Sequence, residues 1–229
     1  MMIRLNRINI FGVLFLSLSF SASLAAATAT PTSYKPTVTK VELCTSSACS
    51  SPTILGNATK EFDIASASVG ADVGIYLSDF ELPVGTTFTH MRSTISTTFK
   101  VTGTVDVSGE TCNTVASPTG AASTATVTAK TATDGTLAEM SWIVPNTNGG
   151  GDYSDLTSSF ASNGITKTDG ASTFTFTIAL AVSYTPKATD VPRIRMSFNV
   201  ADTLVATESG GTCVLYLDPP VQTVTITGR

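Results

Sequence analysis

Apolar and polar side chains alternate along much of this chain with a period of two, the repeat of a strand that buries one face. The clearest run is 173–184. There Phe174, Phe176, Ile178, Leu180, Val182 and Tyr184 alternate with Thr173, Thr175, Thr177, Ala179, Ala181 and Ser183. The longest lies between Thr87 and Val107. Met91, Ile95, Phe99, Val101, Val105 and Val107 hold its odd positions, and His90, Arg92, Thr94, Ser96, Thr98, Lys100, Thr104 and Asp106 hold even ones. Gly103 interrupts this run, and a glycine in such a pattern marks a bulge or bend that lets a strand pass between sheets. A third run sets Ile194, Met196, Phe198 and Val200 against Arg193, Arg195, Ser197 and Asn199.

Shorter strands are expected at 34–43, 53–55, 61–64, 73–77, 213–217 and 221–227. In the first, Val41 and Leu43 alternate with Lys40 and Glu42, and Pro36 marks an edge or a late start. Asp218-Pro219-Pro220 separates the last two. Segments 124–130 and 137–144 read as the arms of a hairpin turning at Asp134-Gly135, with Ala138, Met140, Trp142 and Val144 on one face. One stretch departs from period two. Tyr153, Leu156 and Phe160 recur at i, i+3 and i+7 ahead of Asn163-Gly164, which predicts a short helix and its stop.

Many strands with one apolar face each imply sheets packed face to face. The expected fold is all-β: an antiparallel β-sandwich of roughly ten strands, jelly-roll or Ig-like, with at most one short helix. No break in composition divides 34–229, so one sandwich domain is expected there, preceded by a loose Ala/Thr/Pro-rich tail at 26–33.

The N-terminus has a different pattern. Arg4 and Arg7 precede an apolar stretch from Ile8 to Phe20, and Ser21-Ala22-Ser23-Leu24-Ala25-Ala26-Ala27 follows. Positive, apolar and small, in that order, is a secretory signal, so residues 1–25 are expected to be removed by a cut after Ala25, Ala26 or Ala27. The apolar core of roughly 13 residues is shorter than the ~20 that a membrane-spanning helix needs. No membrane span is expected in the mature chain, and its destination is extracellular, the cell surface or the periplasm.

Export changes how the cysteines read. Cys44, Cys49, Cys112 and Cys213 are an even set in an oxidising compartment, so disulfides are expected. Three pairings are open. Cys44 and Cys49 enclose only four residues, which makes that local bridge the preferred one and leaves Cys112 to Cys213. Zinc is disfavoured because there is no C-x-x-C pair and only one histidine.

The whole chain has a net charge of −4; loss of Arg4 and Arg7 leaves eleven basic against seventeen acidic residues, a charge of −6. A mild, scattered acidity argues against nucleic acid as a partner. The sole histidine, His90, sits in the polar register of its strand, and no G-x-S-x-G, H-E-x-x-H or phosphate-binding glycine loop is present. Asp79 with Glu81 and Asp152 with Asp155 are the carboxylate pairs a hydrolase could use, yet nothing distinguishes them from ordinary loop acids. Asp152 and Asp155, in the glycine-rich loop 146–155, are also the candidate calcium ligands, calcium being the only cofactor the sequence suggests. Trp142 reads as core rather than as a sugar platform, and Tyr34, Tyr76, Tyr153 and Tyr216 do not cluster in sequence. Asn57-Ala58-Thr59 fits the N-glycosylation pattern.

The expected function is therefore a non-enzymatic secreted or cell-surface structural or adhesive protein, a subunit of an extracellular fibre or coat. Its partners would be copies of itself or other surface proteins, met through exposed strand edges. The alternatives are an extracellular module binding carbohydrate or calcium and, third, a carboxylate-dependent hydrolase.

Overall fold

Proline and glycine decide where the long alternating runs are cut. The computed structural model describes residues 26–66, 81–116, 127–129, 136–147, 156–209 and 211–228. The N-terminal run is divided into β1 (Ala26–Ala29), β2 (Ser33–Lys35) and β3 (Thr37–Cys44), with Pro31 and Pro36 in the gaps. Proline has no N–H to give to a ladder. β4 (Thr53–Gly56) and β5 (Lys60–Glu61) follow. The 87–107 run becomes β6 (Phe88–Ser96), β7 (Thr98–Thr102) and β8 (Thr104–Val107), cut at Thr97 and at the expected Gly103. Period two survives both cuts: Met91, Ile95, Phe99, Val101, Val105 and Val107 are all buried. The remaining elements are β9 (Glu110–Asn113), β10 (Val127–Ala129), β11 (Met140–Ile143), α1 (Thr157–Ser162), β12 (Ile165–Thr166), β13 (Thr173–Tyr184), β14 (Arg193–Asn199), β15 (Leu204–Ser209), β16 (Thr212–Leu217) and β17 (Val221–Thr227).

The two cut runs lie side by side. β2 pairs with β7 from Ser33↔Thr102 to Lys35↔Lys100, β3 pairs with β6 from Val38↔Ile95 to Cys44↔His90, and β1 lies against β8. Residues 33–44 and 88–102 thus form one antiparallel ribbon that bends from sheet to sheet, while β1 and β8 are in contact but pair with β15 and β9. Pro36 and Thr97 fall in the same gap between these registers. At the second bend, a Cβ on Gly103 would lie 2.8 Å from Leu204 Cδ2 and 3.1 Å from Pro31 Cα, so any larger residue would have to displace its neighbours. Every ladder among the described residues is antiparallel. The six-stranded sheet runs β12-β13-β6-β3-β4 with β5 also on β3; beside it are β11-β7-β2, β1-β15-β16-β10 and the ribbons β14-β17 and β8-β9. All contribute to one buried apolar cluster, as in a β-sandwich. No helix among the described residues is long and apolar enough to cross a membrane.

The structure corrects several expectations. Among the described residues there are seventeen strand segments rather than about ten, because the long runs are subdivided at their bends. The stretch 26–33 is not a loose tail: β1 pairs with β15 from Ala26↔Thr207 to Ala29↔Leu204. Backbone hydrogen bonds, which small side chains do not advertise, hold it there. The described parts of the expected arms, β10 and β11, are not paired with each other. β10 joins β16 and β11 joins β7, so both are claimed by non-local partners. Strand β15 follows no alternation because Leu204, Val205 and Ala206 are all buried, leaving no polar face to read. In β13, the ladder with β6 jumps from Ala179↔His90 to Tyr184↔Phe88, so four residues oppose one. That bulge leaves Val182 71% exposed, whereas Phe174, Leu180 and Tyr184 are buried as the pattern predicts. The expected strand at 73–77 lies outside the described residues.

Glu42 is the other departure. It occupies a polar register but is only 2% exposed, between Arg92 Nε at 2.8 Å and Lys40 Nζ at 3.1 Å. Burial pushes its carboxyl up, but the hydrogen bonds and charges of Arg92 and Lys40 outweigh this and hold it below the usual glutamate range. The cysteines pair as Cys44–Cys49 and Cys112–Cys213, with Cα–Cα distances of 4.9 and 5.8 Å. The first closes the turn after β3. The second ties β9 to β16.

Candidate functional site: an aromatic cleft

Where the three-stranded sheet, β13, α1 and the β16–β17 turn converge, the core does not close. A cleft of about 180 Å³ remains. Its floor is Phe99 on β7, whose ring lies 5.7 Å from Tyr34, 6.1 Å from Phe174 and 6.3 Å from Trp142. The Tyr34 and Trp142 rings meet it edge-on, the usual geometry of a packed aromatic pair. All four are buried. Around them stand the half-buried rings of Phe160, Phe176, Phe198 and Tyr216, with aliphatic groups from Ile95, Leu156 and Ile165.

Each wall has a local cause. Alternation delivers Phe99, Trp142, Phe174 and Phe176 to the inner side of their strands. The helical spacing of Leu156 and Phe160 brings both to the cleft, with Leu156 as the N-cap of α1. Helix α1 ends at Asn163, and Gly164 takes φ +70° to reverse the chain; its carbonyl then accepts from Thr177 N at 2.8 Å. That bond holds the helix over β13.

The mouth is formed by Asp218-Pro219-Pro220 with Ser159, Asn163 and Gln222. Asp218 is fixed through its backbone. Its N–H donates to the Thr203 carbonyl at 2.8 Å, and its carbonyl accepts a long hydrogen bond from Tyr34 Oη at 3.5 Å. The Asp218 carboxylate, in contrast, has no hydrogen-bond or salt-bridge partner among the described residues. Although the residue is exposed overall, partial burial beside the apolar mouth raises its carboxyl above the ordinary aspartate range. The phenols of Tyr34 and Tyr216 are raised as well, first by burial and then by the Asp218 charge. Among the described residues, no lysine, arginine or histidine lines the cleft.

Of the described residues singled out from the sequence, three reach the cleft. Trp142 is core, 7% exposed, and also a wall of the cleft. Tyr34 and Tyr216, distant in sequence, meet there. His90 lies on the opposite face of β6 from Ile95, half-buried, with Nδ1 2.8 Å from Thr89 Oγ1. Glu81 and Asn57 are exposed in connections. The calcium candidates Asp152 and Asp155, together with Asp79, Tyr76 and Tyr153, lie outside the described residues. The start of their loop is pinned: Asn146 Oδ1 accepts from Lys167 Nζ at 2.7 Å, and Thr147 N donates to Asp169 Oδ1 at 2.7 Å. No signal in the sequence marked Asp218 or the cleft as a whole, because its lining comes from many elements.

No protein-family model, curated protein or solved structure matches this chain.

Proposed function

We propose that the chain is an exported, non-enzymatic β-sandwich whose role is binding, with the aromatic cleft holding the apolar body of a small ligand. The observation that carries this reading is the cleft itself: about 180 Å³ bounded largely by aromatic rings. A dry apolar cavity of roughly 150 Å³ is enough to take up benzene, so one six-membered ring with a substituent fits. Protein interiors are otherwise packed to crystal-like density, and concave, mostly apolar sites with a few polar groups at the edge are where small molecules bind. Export is supported by the N-terminal pattern and by two disulfides, which persist in oxidising compartments.

Trp142 provides the assay, since it is the only tryptophan and it lines the cleft. Titrating the purified exported protein with toluene should change its emission saturably, with a dissociation constant of about 1 mM or tighter. Ser159 is exposed at the rim, so Ser159→Phe should leave the fold intact and weaken that binding. An unsaturable response, together with an unchanged thermal midpoint, would overturn the binding role.

The structural or adhesive reading keeps one specific support. Strand β14 has a single strand neighbour, β17, among the described residues, and so stands at a sheet margin where another chain could add. Concentration-dependent assembly in sedimentation would favour it; a monomer at high concentration would remove it.

A further inference from the structure

We propose that the ligand of this cleft is a small organic cation, an ammonium group on an apolar body of about one ring, with Asp218 as its counter-ion. The inference rests on the cleft being a binding site and adds the charge of what binds.

Three observations point the same way. Asp218 is held in place by both its backbone groups and by the two prolines that follow it, yet its carboxylate, at the edge of an apolar cavity, has no hydrogen-bond or salt-bridge partner among the described residues. Its exposure leaves this carboxylate free to meet a ligand's charge, whereas the buried Glu42 already takes two cations. Second, the charge of the described lining is negative and uncompensated, because no basic side chain among the described residues reaches the cleft. An anionic ligand would be repelled there, and a neutral arene would leave the carboxylate as it is. Third, the walls are aromatic. Ring faces attract an ammonium group, and a quaternary ammonium gives up its weak hydration at little cost. A free sugar fits less well, since its many hydroxyls would meet only Ser159, Asn163 and Gln222 as neutral polar side chains, apart from the tyrosine phenols. A cation at Asp218 would also relieve the penalty that partial burial imposes on the carboxylate.

The test compares three probes of matched size: benzyltrimethylammonium, benzyl alcohol and benzoate, each titrated by Trp142 emission and checked by calorimetry. The cation is expected to bind about tenfold more tightly than the alcohol, with benzoate weakest. Asp218 is exposed, so Asp218→Asn should fold normally; it should abolish the preference for the cation while keeping the binding of benzyl alcohol. Equal affinity for the cation and the alcohol, or a preference that survives Asp218→Asn, would overturn the assignment of charge and leave the cleft standing as an apolar site. Failure of all three probes and of toluene would overturn both.

Discussion

Breaking the Cys112–Cys213 bridge should cost the fold more than breaking Cys44–Cys49, by an amount set by the length of chain each one closes. The bridges span 101 and 5 positions. In the chain-entropy description, the freedom denied to the unfolded chain grows with the logarithm of that span. It gives about 4.7 kcal/mol for the long bridge and about 2 kcal/mol for the short one at 25 °C. All four cysteines are buried, three at 0% exposure and Cys49 at 4%. Paired replacement by alanine therefore leaves similar small voids at both sites, and that shared cost drops out of the comparison. Cys112→Ala/Cys213→Ala should be less stable than Cys44→Ala/Cys49→Ala by about 2.5–3 kcal/mol, or about 5–10 °C in thermal midpoint for a domain of this size. Urea unfolding at fixed pH measures it directly. The slope with denaturant should steepen more for the long-bridge variant, because its unfolded chain opens further. Equal losses, or a larger loss at the short bridge, would refute the reasoning. Packing around the sulfurs, rather than the freedom of the unfolded chain, would then set the contribution of each bridge.

Four further variants test the fold. Because Arg92 and Lys40 hold Glu42 below the usual carboxylate range, the folded state binds fewer protons there than the unfolded chain. The stabilisation is complete above the unfolded glutamate value and is lost as pH falls through the lower, folded one. The gap in urea midpoint between wild type and Glu42→Gln should accordingly narrow from pH 7 to pH 3, and Arg92→Met should lose about 3 kcal/mol at pH 7 by leaving a buried carboxylate half-paired; a gap independent of pH would contradict this. Gly164→Ala should lower stability by about 2–3 kcal/mol, since it combines φ +70° with a Cβ that collides with the Thr177 carbonyl oxygen. Gly109→Ala, at φ +83° in open space, should cost only about 1 kcal/mol, and similar melting shifts for the two would rule out the collision.

The sequence by itself determined the class of fold, most of the strands and the core face of the longest ones. Period-two alternation depends only on which side of a strand meets water, and it is written residue by residue. Met91 to Val107 keep it through two changes of sheet. The stop at Asn163-Gly164 was equally local, because a positive φ after a helix calls for glycine. Tertiary structure decided what depends on a partner. β10 and β11 chose β16 and β7 over each other. β15 is hidden by burial on both faces, and β1 is a strand only because β15 offers it a ladder. Glu42 looked solvated until Arg92 and Lys40 closed on it. The cleft belongs wholly to this second group. Tyr34, Phe99, Trp142, Phe174 and Asp218 read singly as core or turn residues, and no spacing along the chain relates them. Only folding brings four rings and an unpaired carboxylate to one cavity, because a binding site is a property of distances in space, whereas periodicity reports only on neighbours in sequence.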